Sequence, residues 1–184
     1  MLNFVNPHLP RPGYMVSPSI SDITDLIIHH TAGSLEQTIH DIDLEHRNIG
    51  DAMIAYNFII DPKIVKQANG KLNIMIGRPV EFIPAATFGR NPESVNISVI
   101  GQYDSNYPGF SGNPNPDVIQ ALKEFALWAH LRWPSICRTI GHRDVAPMFY
   151  PNNQSEYSTA CPGDRLYVEI PAIKSFVHAK VLAR

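Results

Sequence analysis

With 184 residues, 44% of them hydrophobic and 17% charged, the chain has the composition of an ordinary globular domain and is long enough to bury one sizeable core. A formal net charge of −2 and no run of Lys or Arg exclude the electrostatic footprint of a nucleic-acid binder. No apolar stretch approaches the ~20 residues that cross a bilayer, so no membrane insertion is expected.

Residues 1–24 carry Pro7, Pro10, Pro12 and Pro18 and lack the basic and apolar regions of a secretory leader. They read as an extended N-terminal arm ahead of a single domain over residues 25–184. Without a leader, synthesis in the cytoplasm is expected. A bridge between the two cysteines, Cys137 and Cys161, is then the less favoured reading.

Asp25 to His30 reads as a strand buried on both faces, with the small polar turn Thr31-Ala32-Gly33 behind it. Ser34 to Gln37 has the form of a capping box, which predicts a helix from about Leu35 to Arg47 with Ile39, Ile42 and His46 on one face. Tyr56 to Ile60 is the next strand. Lys63 to Ile76 reads as a weak hairpin turning at Asn69-Gly70. Val95 to Ile100 alternates and predicts a strand with one face buried more deeply. Gln102 to Asn115, rich in Gly, Pro, Ser and Asn, reads as a long surface loop.

Asn115-Pro116 opens the clearest helix, N-cap and first position, with Val118, Ile119, Leu122, Phe125, Ala126 and Ala129 as its apolar stripe. Arg138 to His142 is a short strand end, Arg143 to Ala160 a polar stretch, and Pro171 to Ala183 a last helix. Strands alternating with helices predict an α/β domain of three layers, a central mixed sheet flanked by helices.

Ligands in open α/β sheets gather outside the carboxyl ends of the strands, which is where His29 and His30 fall. Successive strand side chains point to opposite faces, so one of the pair is a candidate metal ligand and the other packs or supports it. Two further segments carry ligand chemistry: Gly141-His142-Arg143-Asp144 and Thr159-Ala160-Cys161-Pro162-Gly163. A His, His, Cys set would leave a fourth position open, as catalytic zinc sites do. Asp144 either orients a ligand or closes a turn. His40 reads as surface, His46 as half-buried, His130 as a charged helix C-terminus, and Cys137 as a small buried hydrophobe. Trp128 and Trp133 read as packing.

Ile27 to Gly33, Ala55-Tyr56-Asn57-Phe58, Gly141 to Asp144 and Thr159 to Gly163, in that order, resemble the zinc-dependent N-acetylmuramoyl-L-alanine amidases shared by phage lysozyme-like enzymes and peptidoglycan recognition proteins. The resemblance implies one Zn2+ per chain in a surface groove, held by His29, His142 and Cys161. It implies catalytic roles for Tyr56 and Thr159, and substrate contacts for His30, Thr31 and Asn91. The activity it implies is hydrolysis of the amide between N-acetylmuramic acid and L-alanine, by a monomer acting lytically at the cell wall after release through a holin or by injection. A recognition module that holds peptidoglycan without cutting, and a cytoplasmic amidase recycling muropeptides, are the alternatives. One departure stands out: Ala86 occupies the position where the family often has histidine.

Overall fold

The computed structural model describes residues 1–13 and 23–183. Six strands form one sheet in the order β1-β4-β3-β5-β2-β6: β1 (Leu2–Val5), β2 (Asp25–His30), β3 (Phe58–Ile60), β4 (Leu72–Ile76), β5 (Ser94–Val99) and β6 (Arg138–Gly141). Only β3 and β4 run antiparallel; the other neighbours are parallel. The sheet is thus mixed, as expected.

Helices cover both faces. Helix α1 (Ile39–Asn48) packs on one, with Met53, Ile54, Ile59 and Met75 beneath it, and the short α3 (Val145–Phe149) joins it there over Ile27 and Ile140. Helix α2 (Pro116–Arg132) covers the other, together with the C-terminal helix over Ile170–Leu182, against Leu26, Ile28, Phe58, Ile74 and Ile97. Between them lie two single-turn helices, α4 (Gln154–Tyr157) and α5 (Asp164–Tyr167), so the C-terminal helix is α6.

Asn115 caps α2 by accepting from the Val118 N–H at 2.9 Å, with Pro116 at its first position. Five of the six stripe residues are buried and Ile119 is half-buried. Trp128 and Trp133 pack edge to face, centroids 5.4 Å apart, beside Phe58 and Phe125. Asp25 holds the amino end of the sheet together. Its carboxylate is fully buried and pairs with Arg90 at 2.6 Å and with Arg138.

Several expectations are corrected. Residues 2–5, placed in an arm, form edge strand β1, where Phe4 packs against Trp128 with centroids 4.6 Å apart and planes tilted by 49°; residues 14–22 of the expected arm lie outside the described residues. Helix α1 begins at Ile39, because the capping box that closes is Thr38 with Asp41. Ser34 instead accepts from the Glu36 N–H in a local turn. Strand β5 is buried alike on both faces rather than more deeply on one. Of the expected hairpin only β4 and a single bridge, Lys66 to Leu72, are made. The polar stretch over residues 143–160 contains α3 and α4. Cys137 is exposed rather than buried, and both cysteines are free.

His130 is not a charged cap. Its Nε2 hydrogen-bonds the Thr139 hydroxyl at 2.9 Å, and burial lowers its pKa. His46 behaves alike: burial lowers its pKa, and its Nδ1 accepts from the Ala55 N–H at 2.8 Å, which only a neutral ring can do. Folded-state pKa values below the unfolded value of 6.5 give stability that is full above that pH and fades as pH falls through it, because the unfolded chain takes up the protons first. The unfolding free energy from urea titrations should therefore drop between pH 7.5 and 5.5. In His46→Gln, whose amide can still accept from Ala55, that drop should be smaller.

Candidate metal centre

Three segments meet at the carboxyl ends of β2, β5 and β6. His29 is the penultimate residue of β2 and is 1% exposed. Its Nε2 is 2.8 Å from the Asn96 side-chain oxygen, an atom that only accepts, so Nε2 carries the ring proton and Nδ1 keeps its lone pair. The orientation of the Asn96 amide is set by its other partners. Thr87 Oγ1 donates to the same oxygen at 2.8 Å, and Asn96 Nδ2 donates to Ser94 Oγ at 2.9 Å. A buried polar chain through the sheet thus aims His29 Nδ1 outward.

His142 follows β6 directly, in a 3-10 turn over His142–Asp144. The Asp144 carboxylate fixes that turn, accepting from the Gly141 N–H at 2.9 Å and from the Tyr167 hydroxyl at 2.6 Å. Its role is turn closure. Cys161 arrives on a turn laid against the end of β6: the Arg143 N–H donates to Cys161 O at 2.8 Å. Gly141 is required there, since a Cβ would meet Pro162 Cδ at 2.9 Å and Tyr167 Cδ2 at 3.0 Å. Gly163, at φ +85°, would drive a Cβ to 2.2 Å from the backbone of Tyr103.

The donor atoms of His29, His142 and Cys161 lie within 4.8 Å of one another, and His29 Nδ1 stands 3.5 Å from Cys161 Sγ. In a tetrahedral site with N and S bonds of about 2.0 and 2.3 Å, neighbouring N and S ligands are about 3.5 Å apart. The donor set fits a metal ion. Burial pushes the His29 pKa well down and that of His142 to about 4, so both rings are neutral and have lone pairs to give. Burial also pushes the Cys161 thiol up to about 12, so a metal bound here must displace a proton.

A cavity of about 670 Å³ opens over these atoms. Tyr56 lines it, its ring centroid 5.3 Å from that of His29, and burial raises its pKa above the usual 10, which keeps the phenol a hydrogen-bond donor. Thr159 lines it too; its oxygen accepts from the Cys161 N–H at 3.1 Å, leaving its proton free to donate. Ala32, also on the wall, takes a left-handed φ of +56° as the chain turns away from β2.

A profile of the family described as N-acetylmuramoyl-L-alanine amidase matches residues 20–164. The chain belongs to the N-acetylmuramoyl-L-alanine amidase family. Within it, peptidoglycan-recognition protein SC2 of Drosophila melanogaster is 29% identical over 154 residues, spanning 78% of this chain and 70% of that one. Among solved structures, Drosophila PGRP-LB superposes with a TM-score of 0.70 at 21% identity, covering 94% of each chain. The amidase LysC from Clostridium intestinale superposes at 0.69 and 18% identity over 97% of this chain and 99% of that one. The endolysin of Thermus scotoductus bacteriophage Ph2119 gives 0.65 at 18%, over 95% and 99%. These likenesses establish the amidase fold.

The structure brings His29, His142, Cys161, Tyr56 and Thr159 to one cavity, and His30 and Thr31 with them. His30 projects to the other face of β2, where Nδ1 accepts from the Tyr103 N–H at 3.1 Å and burial lowers its pKa to about 4. Thr31 Oγ1 accepts from the Gly101 N–H. Asn91 does not line the cavity. Its side chain accepts from the Thr87 N–H at 2.7 Å, so it braces the loop that braces Asn96. Ala86, at the family's usual histidine position, does face the cavity.

Gln102, Asp104 and Tyr107 also line the cavity, from the segment expected to be surface loop. Gln102 and Asp104 are buried. Their position just past the carboxyl end of β5 is the sequence signal that marks them. For Asn96 the signal is a polar carboxamide between the large apolar residues Val95 and Ile97 of a strand.

Removing the hydrogen bond that orients a ligand typically weakens metal binding about 10- to 100-fold. Asn96→Leu should show that loss in a Zn2+ titration while keeping native circular dichroism. Unchanged affinity would show that Asn96 does not hold the ligand.

Proposed function

We propose that the chain hydrolyses the amide between N-acetylmuramic acid and L-alanine in peptidoglycan, with one zinc ion held by His29, His142 and Cys161. The observation carrying this reading is the coexistence of three converging donors and a protonated Tyr56 in one open cavity. Zinc in such a site supplies a Lewis acid that acidifies water and polarises a carbonyl.

The chain's own groups do the rest. Asn96 holds His29 in the tautomer that leaves Nδ1 free. His142 is presented neutral by burial. Cys161, once ionised, adds a negative charge that makes the site a milder acid than an all-histidine one. The Tyr56 hydroxyl donates a hydrogen bond to the amide oxygen as it gains negative charge, and its raised pKa prevents it from ionising instead. Thr159 adds a second, neutral donor in the same cavity. Gln102 and the buried Asp104 offer polar atoms to the peptide side of a substrate.

The fold shared with the phage endolysin supports a lytic role at the cell wall. The likeness to recognition proteins supports a second reading, a module that holds peptidoglycan without cutting it. Among the described residues no helix is long and apolar enough to cross a membrane.

Mass spectrometry of peptidoglycan treated with the protein separates the two. Cleavage predicts new L-alanine amino termini beside intact glycan strands, abolished by a chelator and restored by Zn2+. Peptidoglycan bound but uncut by zinc-loaded protein would mean recognition only. Tyr56→Phe should lower turnover about 10²-fold with zinc content unchanged, the scale of losing one oxyanion donor. Full activity in that variant would remove Tyr56 from the mechanism.

A further inference from the structure

Ala86 and Thr159 line the cavity; Phe88 lies two residues beyond the first and Tyr157 two residues before the second. The Phe88 and Tyr157 rings stack, centroids 5.4 Å apart and planes 19° apart. Tyr157 stacks in turn on Tyr150 at 3.9 Å and 8°. The Tyr150 end is braced, since its hydroxyl donates to Gly89 O at 2.7 Å. The Phe88 end is open. At 69% exposure Phe88 is the most exposed aromatic residue among those described.

A stack of three aromatic rings beside a polar cavity, its outer ring left in water, offers a contiguous apolar contact surface. The face of an aromatic ring is electron-rich and attracts the polarised C–H bonds that line one side of a pyranose. Charge decides which half of a glycopeptide belongs here. Arg90, the nearest cation in sequence, is turned to Asp25 and Glu93 and covers Phe149. Glu156, exposed beside Tyr157, repels the carboxylates of a stem peptide. A neutral sugar meets no such repulsion.

We infer that Phe88, backed by the Tyr157–Tyr150 stack, is the platform for an N-acetylhexosamine ring of the glycan strand at this end of the cavity. The inference rests on the peptidoglycan reading above. It needs neither the metal nor cleavage.

The test is titration of the metal-free full chain with the peptide-free β-1,4-linked tetramer of N-acetylglucosamine, followed by NMR. Saturable binding that perturbs the Phe88 and Tyr157 ring signals is expected. Phe88→Leu, apolar but not flat, should weaken it about fivefold or more, and Phe88→Trp should retain it. Absence of saturable binding, or equal affinity in Phe88→Leu, would overturn the platform. Amide cleavage with unaltered tetramer binding in Phe88→Leu would sink this inference alone. Tetramer binding through Phe88 with no amide cut would sink the amidase reading and leave the platform standing.

Discussion

The site depends on one hydrogen bond inside the sheet, from His29 Nε2 to the Asn96 carboxamide. An imidazole at the end of a buried strand has two nitrogens, and which one faces outward is settled by what the inner one meets. Asn96 supplies an acceptor that is itself fixed from three sides, by Thr87, by Ser94 and by Asn57, whose Oδ1 accepts the Asn96 N–H at 2.9 Å. Because every member of this chain is satisfied, the buried polar cluster gives a rigid base for a ligand. The other two donors come from turns, and turns need such a reference point to converge on.

The sheet supplies that convergence by register. β2 lies between β5 and β6, both parallel to it, so the three carboxyl ends fall side by side. At the other end Asp25 ties Arg138 of β6 and Arg90, just ahead of β5, to β2. A shift of one residue between these strands would turn His29 into the α2–α6 face and bury its lone pair in hydrocarbon. The Gly141 contact with Pro162 and the Gly163 contact with Tyr103 then bring the cysteine turn close enough for Sγ to reach His29 Nδ1.

Much of this could be read from the sequence, and what could be read has a common physical basis. Apolar runs such as Leu26 to Ile28, and the Asn115-Pro116 start of α2, are local signals that tertiary structure reinforces. That His29, His142 and Cys161 belong together was legible through the order of four short motifs, since their spacing along the chain holds little information. What escaped depends on contacts made at long range. Strand β1 spans four residues, too few to show a period, and it is recruited by β4, some 70 positions on. The Ser34 box is as plausible locally as the Thr38 box, but Thr38 and Asp41 close on each other at both ends. Gln102 and Asp104 belong to a loop without periodicity, and they are buried because Tyr103 is held by His30 on β2. Asn91 faced the right way by motif, yet its side chain is consumed by Thr87.

Two aspects of the cavity set this chain's character within the family. Its walls are furnished more with neutral donors and aromatic rings than with charges, Ala86 standing at the usual histidine position and Thr159 beside the cysteine turn. Capture of the proposed zinc would work against a thiol held protonated by burial, so binding would release a proton as it completed the site. X-ray absorption spectroscopy of the zinc-loaded protein tests the central geometry most directly. The account predicts one sulfur at about 2.3 Å and two imidazole nitrogens at about 2.0 Å. A zinc edge with no sulfur neighbour, or with two, would contradict it.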